Sequence, residues 1–163
     1  MPQKKKRILI LDGPNLNLVG VRNPKIYGTI NPADYINQLV PVFPDVELIY
    51  MQTNHEGGMI DLLQNYGFGK ADGIVLNAGG YTHTSVALRD CVEVLSVPVI
   101  EVHLSDTQGR EPFRRYSYLT EVCKERIGGL GVEGYKLAIE KLLKAGVENA
   151  SERSIVENVS ERS

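Results

Sequence analysis

Short apolar runs alternate along the chain with segments whose apolar residues recur at helical spacing. Ile8–Leu11 reads as a buried strand, cut off by the turn-forming run Asp12-Gly13-Pro14-Asn15. Val46–Met51, Gly73–Asn77 and Pro98–His103 read as three further strands, the last marked by β-branched Val99, Ile100 and Val102. A fifth, around Glu121–Ile127, carries a weaker pattern. Helical spacing occupies residues 31–42, 57–68 and 84–95. A last helix spans Val132–Lys144, with Val132, Tyr135, Leu137, Ile139, Leu142 and Leu143 as its apolar positions. Pro41 and Pro44 end the first helix early, because proline cannot donate to the helical ladder.

Strands that are apolar throughout, each followed by a helix, predict a parallel sheet covered on both faces. Five of them in 163 residues suit a flavodoxin-like doubly wound five-stranded parallel sheet with helices on both faces. An eight-fold β/α barrel is excluded, since it takes ~250 residues. We expect one domain over residues 1–146 and a polar extension over 147–163. The extension contains a near-duplicate, VENASERS at Val147–Ser154 and VENVSERS at Val156–Ser163. It is too polar for a core and reads as a frayed continuation of the last helix, without a catalytic role.

Composition narrows the class. Hydrophobic residues at 42% and charged residues at 23% allow a real core, and a net charge of −2 supplies no field for nucleic acid or an anionic membrane. The basic run Lys4–Arg7 leads directly into the first strand and reads as a solvated approach to it. No apolar stretch reaches the ~18 residues of a membrane span, and the N-terminus has no signal-peptide core. Cys91 and Cys123 lack ligand or redox spacing and read as core thiols of a reducing, cytoplasmic compartment. The three histidines are widely separated, so no metal site is expected.

In an open α/β sheet, ligands bind beyond the carboxyl ends of the strands, at the point where strand order reverses. Three polar clusters fall there. The first strand is followed by Gly13-Pro14-Asn15-Leu16-Asn17-Leu18 and a loop through Arg22 to Tyr27-Gly28. The third ends at Asn77, before a run from Ala78 to Ser85 that contains His83. The fourth ends at Glu101-Val102-His103-Leu104-Ser105, followed by Arg110 and Arg114. Their convergence argues for one active site, although each residue also has a plain structural reading. Gly13, Gly79 and Gly80 could serve only tight turns; no GxGxxG or Walker pattern follows the first strand. Tyr27 could pack under its loop, His83 and Thr84 could cap the next helix, and His55 could lead into another. Glu101, inside a buried strand, needs a partner and so orients a neighbour or meets another subunit.

The stretches GPNLNLVGVRNPKIYG, QTNHEG, LNAGGYTHTSVALRD, PVIEVHLSDTQGREPFR and GLGVEGYKLAI, in this order across residues 8–143, resemble the successive motifs of type II 3-dehydroquinate dehydratases. The resemblance implies a cofactor-free hydro-lyase of the shikimate pathway, which leads to the aromatic amino acids. It converts 3-dehydroquinate to 3-dehydroshikimate by anti elimination through an enolate. Tyr27 matches the family's base. A free tyrosine has a pKa near ~10, so such a base requires neighbouring cations, and Arg22, Arg110 and Arg114 are available. Asn15 matches the donor to the enolate oxygen, and His103 the acid that protonates the departing hydroxyl. Substrate holding falls by resemblance to Asn77, His83 and Arg114, with Leu104 and Ser105 as donors to the carboxylate and Glu101 in support. Asp90 matches a position that reaches a neighbouring subunit, in a family that assembles as a homododecamer of four trimers.

The chain departs from the family at several positions. Asp12 stands where asparagine or glutamine is common, and a carboxylate near an enolate is unhelpful unless paired. Asn23 replaces the acidic residue after the lid arginine. Asp106, Gln108, Gly109 and Pro112 alter the stretch after the fourth strand, and Pro112 threatens the placement of Arg114. Two other classes compete: a binding module, either holding FMN or a family member that has lost catalysis and binds a ligand or partner, and a purely structural assembly protein. The FMN version lacks the phosphate nest expected after strand one, the inactive version predicts decay of a catalytic set that is intact, and the structural protein leaves the clustered Arg, His and Tyr unexplained.

Overall fold

The computed structural model describes residues 2–160, with side-chain surroundings through Gly146. Five strands form one parallel sheet: β1 (Lys6–Asp12), β2 (Val46–Gln52), β3 (Gly73–Asn77), β4 (Val99–His103) and β5 (Glu125–Gly128), in the order β2-β1-β3-β4-β5. The helices are α1 (Pro24–Tyr27), α2 (Pro32–Leu39), α3 (Glu56–Tyr66), α4 (Val86–Val94) and α5 (Glu133–Ser160).

Side-chain alternation in β1 divides the core into two layers. Ile8 and Ile10 join Val75, Ile100 and Val102 against Tyr35, Ile36 and Leu39 of α2 and Tyr135, Ala138, Ile139 and Leu142 of α5. Leu9 and Leu11 face the other way, with Ile74, Leu76 and Val99, against Met59, Leu63 and Tyr66 of α3 and Leu88, Cys91 and Val92 of α4. This is the expected flavodoxin-like arrangement. Strand order reverses between β1 and β3, so their carboxyl ends open a crevice.

The boundaries differ from expectation where local chemistry intervenes. Asn31 caps α2 by accepting from the Ala33 amide at 2.9 Å, and Pro32 starts the helix. The helix ends at Leu39, three residues short of the predicted end, with Pro41 beyond it. Ser85, rather than His83 or Thr84, caps α4 by accepting from the Leu88 amide at 2.9 Å. The fifth strand begins four residues later than expected, at Glu125, and extends one residue beyond, to Gly128. α5 continues through Ser160, so the first copy of the C-terminal duplicate lies on helical backbone, while the end of the second, residues 161–163, falls outside the described residues. Among the described residues, no helix is long and apolar enough to cross a membrane.

Candidate active site

Loop geometry at the ends of β1 and β3 is set by a close backbone approach. The Gly13 amide donates to the Asn77 carbonyl at 2.7 Å, and a Cβ on Gly13 would stand 2.5 Å from the Ala78 carbonyl oxygen. Only glycine lets the two strands finish this close together. Asn15 then adopts a left-handed conformation (φ 68°), which asparagine tolerates, and its amide donates to the Asn54 side-chain oxygen at 3.0 Å. Gln52 bonds both the Gly13 carbonyl and Asn54, so the QTNHEG stretch serves to hold this loop. His55 precedes α3 as its N-terminal boundary residue and does not line the crevice.

A cavity of about 130 Å³ opens beyond these strand ends. Asn15, Arg22, Tyr27, Asn77, His83, His103, Leu104, Ser105, Arg110 and Arg114 all line it, so the three polar clusters meet as expected. Pro14, Leu16, Gly79, Gly80 and Thr107 complete the wall. Thr107 was not anticipated; its position midway between Ser105 and Arg110 was the available signal. Asp90 does not line the cavity of its own chain. It lies exposed on α4, 3.5 Å from the Arg89 guanidinium.

Tyr27 sits on α1, a single turn that the sequence pattern did not reveal. Asn23 caps it by accepting from the Lys25 amide at 3.1 Å, Pro24 occupies the first helical position, and Gly28 (φ 77°) ends it. The unusual Asn23 thus supports the turn that carries the tyrosine. Arg22 Nη2 donates to the Tyr27 hydroxyl oxygen at 2.7 Å, with its guanidinium 3.8 Å from the ring centroid. Arg110 lies 5.1 Å from the same centroid and donates to Ser105 Oγ at 3.3 Å. Arg22 thus sets a permanent cation on the Tyr27 oxygen, and Arg110 sets a second one beside the ring.

His103 belongs to a buried acid-base pair. Its Nε2 donates to Glu101 Oε1 at 2.7 Å, and Glu101 also accepts from Ser117 Oγ at 2.5 Å and Thr120 Oγ1 at 2.7 Å. Burial opposes ionisation of Glu101, but these three donors and the charge of His103 outweigh it and hold the carboxyl below its ordinary range. Glu101 therefore finds its partners within this chain. The His83 ring is stacked 6.4 Å from that of His103. His83 Nδ1 donates to the Tyr116 carbonyl at 2.6 Å, which leaves Nε2 as an acceptor. Burial lowers the His83 pKa, and nearby cationic Arg114 and Arg126 work in the same direction.

The remaining departures are accommodated. Pro112 heads a short 3₁₀ turn with Arg114, a position that needs no amide donor, and Arg114 still lines the cavity while its Nε donates to Glu111 at 3.0 Å. Asp106 caps the preceding turn through the Gln108 amide at 3.0 Å. Asp12 is absent from the cavity wall and hydrogen-bonded through both oxygens, accepting from Tyr50 and Tyr135 hydroxyls at 2.7 Å each.

The sequence profile of the family described as Dehydroquinase class II matches residues 6–143. The chain belongs to the class II dehydroquinase family. A 3-dehydroquinate dehydratase from Bacillus licheniformis is 50% identical over 134 residues, covering 81% of this chain and 92% of that protein. A catabolic 3-dehydroquinase from Penicillium rubens is 44% identical, over 83% of this chain and 88% of its own length. The crystal structure of a type II dehydroquinase from Butyrivibrio crossotus superimposes with a TM-score of 0.81 at 41% identity, covering 86% of this chain and 99% of that one. Class II dehydroquinase membership thus spans the whole sheet and every wall of the cavity.

Proposed function

We propose that this chain is a 3-dehydroquinate dehydratase in which Tyr27 is the base and His103 the acid. The observation that carries this reading is the hydrogen bond from Arg22 Nη2 to the Tyr27 oxygen at 2.7 Å, in the same cavity as the His103–Glu101 pair. The Tyr27 oxygen takes the proton from the carbon beside the substrate ketone, and Arg22 and Arg110 stabilise the phenolate that does so. Electrons from that C–H bond form the enolate, whose oxygen receives a hydrogen bond from Asn15, directly or through water. Collapse of the enolate expels the hydroxyl, which leaves as water with a proton from His103. Glu101 accepts from His103 Nε2, so it fixes the orientation of the ring.

Asn77, His83, Ser105, Arg114 and the Leu104 backbone hold the substrate, with the guanidinium suited to its carboxylate. Residues 1–146 make up the catalytic domain, and 147–163 are a polar C-terminal extension without a catalytic role. Asp90, exposed on α4, reaches the site of a neighbouring subunit in a cytoplasmic homododecamer built from trimers. Sedimentation of the active enzyme tests that assembly; a fully active monomer contradicts it. Chemistry is tested by adding 3-dehydroquinate to the protein in the presence of chelator and following the absorbance of the conjugated enone product. Turnover without covalent trapping by borohydride supports the proposal; absence of turnover, or a trapped lysine adduct, overturns it.

A further inference from the structure

Asp12 continues the alternation of Ile8 and Ile10, so its side chain enters the layer between the sheet and α5. A carboxylate there is costly unless it is hydrogen-bonded. It is wholly buried, and its two oxygens accept separately: Oδ2 from the Tyr50 hydroxyl of β2 and Oδ1 from the Tyr135 hydroxyl of α5, each at 2.7 Å. Its register neighbours on β2 and β3, Gln52 and Asn77, are neutral, and among the described residues no lysine, arginine or histidine pairs with it. The Tyr135 oxygen in turn accepts from Asn77 Nδ2 at 3.0 Å, and Asn77 lines the cavity.

The direction of these bonds follows from proton counting. An ionised carboxylate only accepts, so both tyrosines donate to Asp12. Tyr135, having given its single proton, can only accept from Asn77. Asn77 must therefore turn its amide nitrogen toward Tyr135, and its Oδ1 receives the Gly79 amide at 3.3 Å. While Asp12 is ionised, the alternative amide rotamer, nearly identical in shape, is excluded. One N–H and one carbonyl lone pair of Asn77 remain for a ligand in the cavity.

We infer that Asp12 is a positioning residue for substrate binding, acting through the Tyr135 hydroxyl to fix the orientation of the Asn77 amide. The inference rests on the proposed role of Asn77 in holding 3-dehydroquinate. Protonated Asp12 admits a second arrangement, in which its own O–H donates to Tyr135, that hydroxyl donates to the Oδ1 of a turned Asn77 amide, and the Gly79 amide gives up its acceptor. Burial pushes the Asp12 pKa up to about 7, which brings this loss of direction into the neutral range.

Tyr135→Phe and Tyr50→Phe each remove one donor to Asp12, but only the first breaks the connection to Asn77. Steady-state kinetics with 3-dehydroquinate should give a KM about tenfold higher for Tyr135→Phe with kcat changed by less than about threefold, as for a lost ground-state contact. Tyr50→Phe should keep KM within about twofold at high pH and shift the pH dependence of KM upward, because ionised Asp12 has lost a donor. Asp12→Asn should remove the component of the KM profile that titrates near neutrality. Equal KM effects in the two tyrosine variants, or an unchanged KM in Tyr135→Phe, would overturn the inference. An unaltered enzyme that fails to turn over 3-dehydroquinate would instead overturn the functional proposal.

Discussion

Asp12→Asn should make the protein more stable relative to the unaltered chain as pH rises, although it removes a fully hydrogen-bonded side chain. The carboxyl goes from its ordinary 3.8 to about 7, chiefly because burial disfavours the charged form, with the Tyr135 and Tyr50 hydroxyls offsetting part of the cost. A folded-state pKa above the unfolded one means that the folded protein holds the proton more tightly. The associated stability is fully present below the ordinary value and is lost as pH rises through about 7. Each pH unit in that window costs ~1.4 kcal/mol, so from about pH 5 to about pH 8 the loss is on the order of 3 kcal/mol. Asparagine has no such titration, and all other groups titrate alike in both proteins. Urea unfolding at the two pH values, at one protein concentration, isolates the difference. The variant should gain on the order of 3 kcal/mol relative to the unaltered chain between the two conditions. A gap that stays constant, or that narrows with pH, would refute the claim that ionised Asp12 is a burden on the fold. With the Asn77 argument, the expected result makes Asp12 a residue that lowers stability for the sake of an ordered site.

Glu101→Ala should cost about 3–5 kcal/mol in chemical denaturation, because His103, Ser117 and Thr120 lose their common acceptor. Since the Glu101 pKa is lowered, its stabilisation is present above the ordinary carboxylate value and lost as pH falls through the lowered one; an acid-unfolding midpoint identical in Glu101→Gln would count against this. Arg22→Ala should reduce kcat by roughly a hundredfold or more, whereas an equal effect from substituting solvent-exposed Lys25 would contradict the assigned contact. Gly13→Ala should destabilise by about 1–3 kcal/mol or fail to fold, since its Cβ would meet the Ala78 carbonyl oxygen at 2.5 Å; a neutral thermal melt would show that the β1–β3 junction yields more readily than argued.

The sheet was legible because its strands carry continuous apolar runs and its turns carry glycine, proline and asparagine. The strand-end rule then sufficed to gather Asn15, Asn77, His83, His103 and Ser105 in one crevice. Features that depend on partners distant in sequence were not legible. Ser117 and Thr120, which hold Glu101, come from a stretch with little periodicity, and Tyr135 reads as an ordinary apolar position of α5 until its hydroxyl meets Asp12. The turn carrying Tyr27 is too short for a periodic signal and is defined by its cap, proline and glycine. Asp12 stands out in the sequence as discordant, but its hydroxyl partners come from β2 and α5 and meet it only in the fold. α2 ends at Leu39 rather than 42 because Pro41 lies just beyond it, a stop that apolar spacing alone runs past.

The central claim is that the Tyr27 oxygen removes the substrate proton. Tyr27→Phe keeps the ring beneath the Arg22 guanidinium and deletes only the oxygen, so it separates chemistry from packing. Its kcat should fall by roughly a thousandfold or more, with 3-dehydroquinate binding retained in calorimetry and thermal stability close to that of the unaltered protein. A folded Tyr27→Phe enzyme that turns over 3-dehydroquinate at a comparable rate would contradict the account.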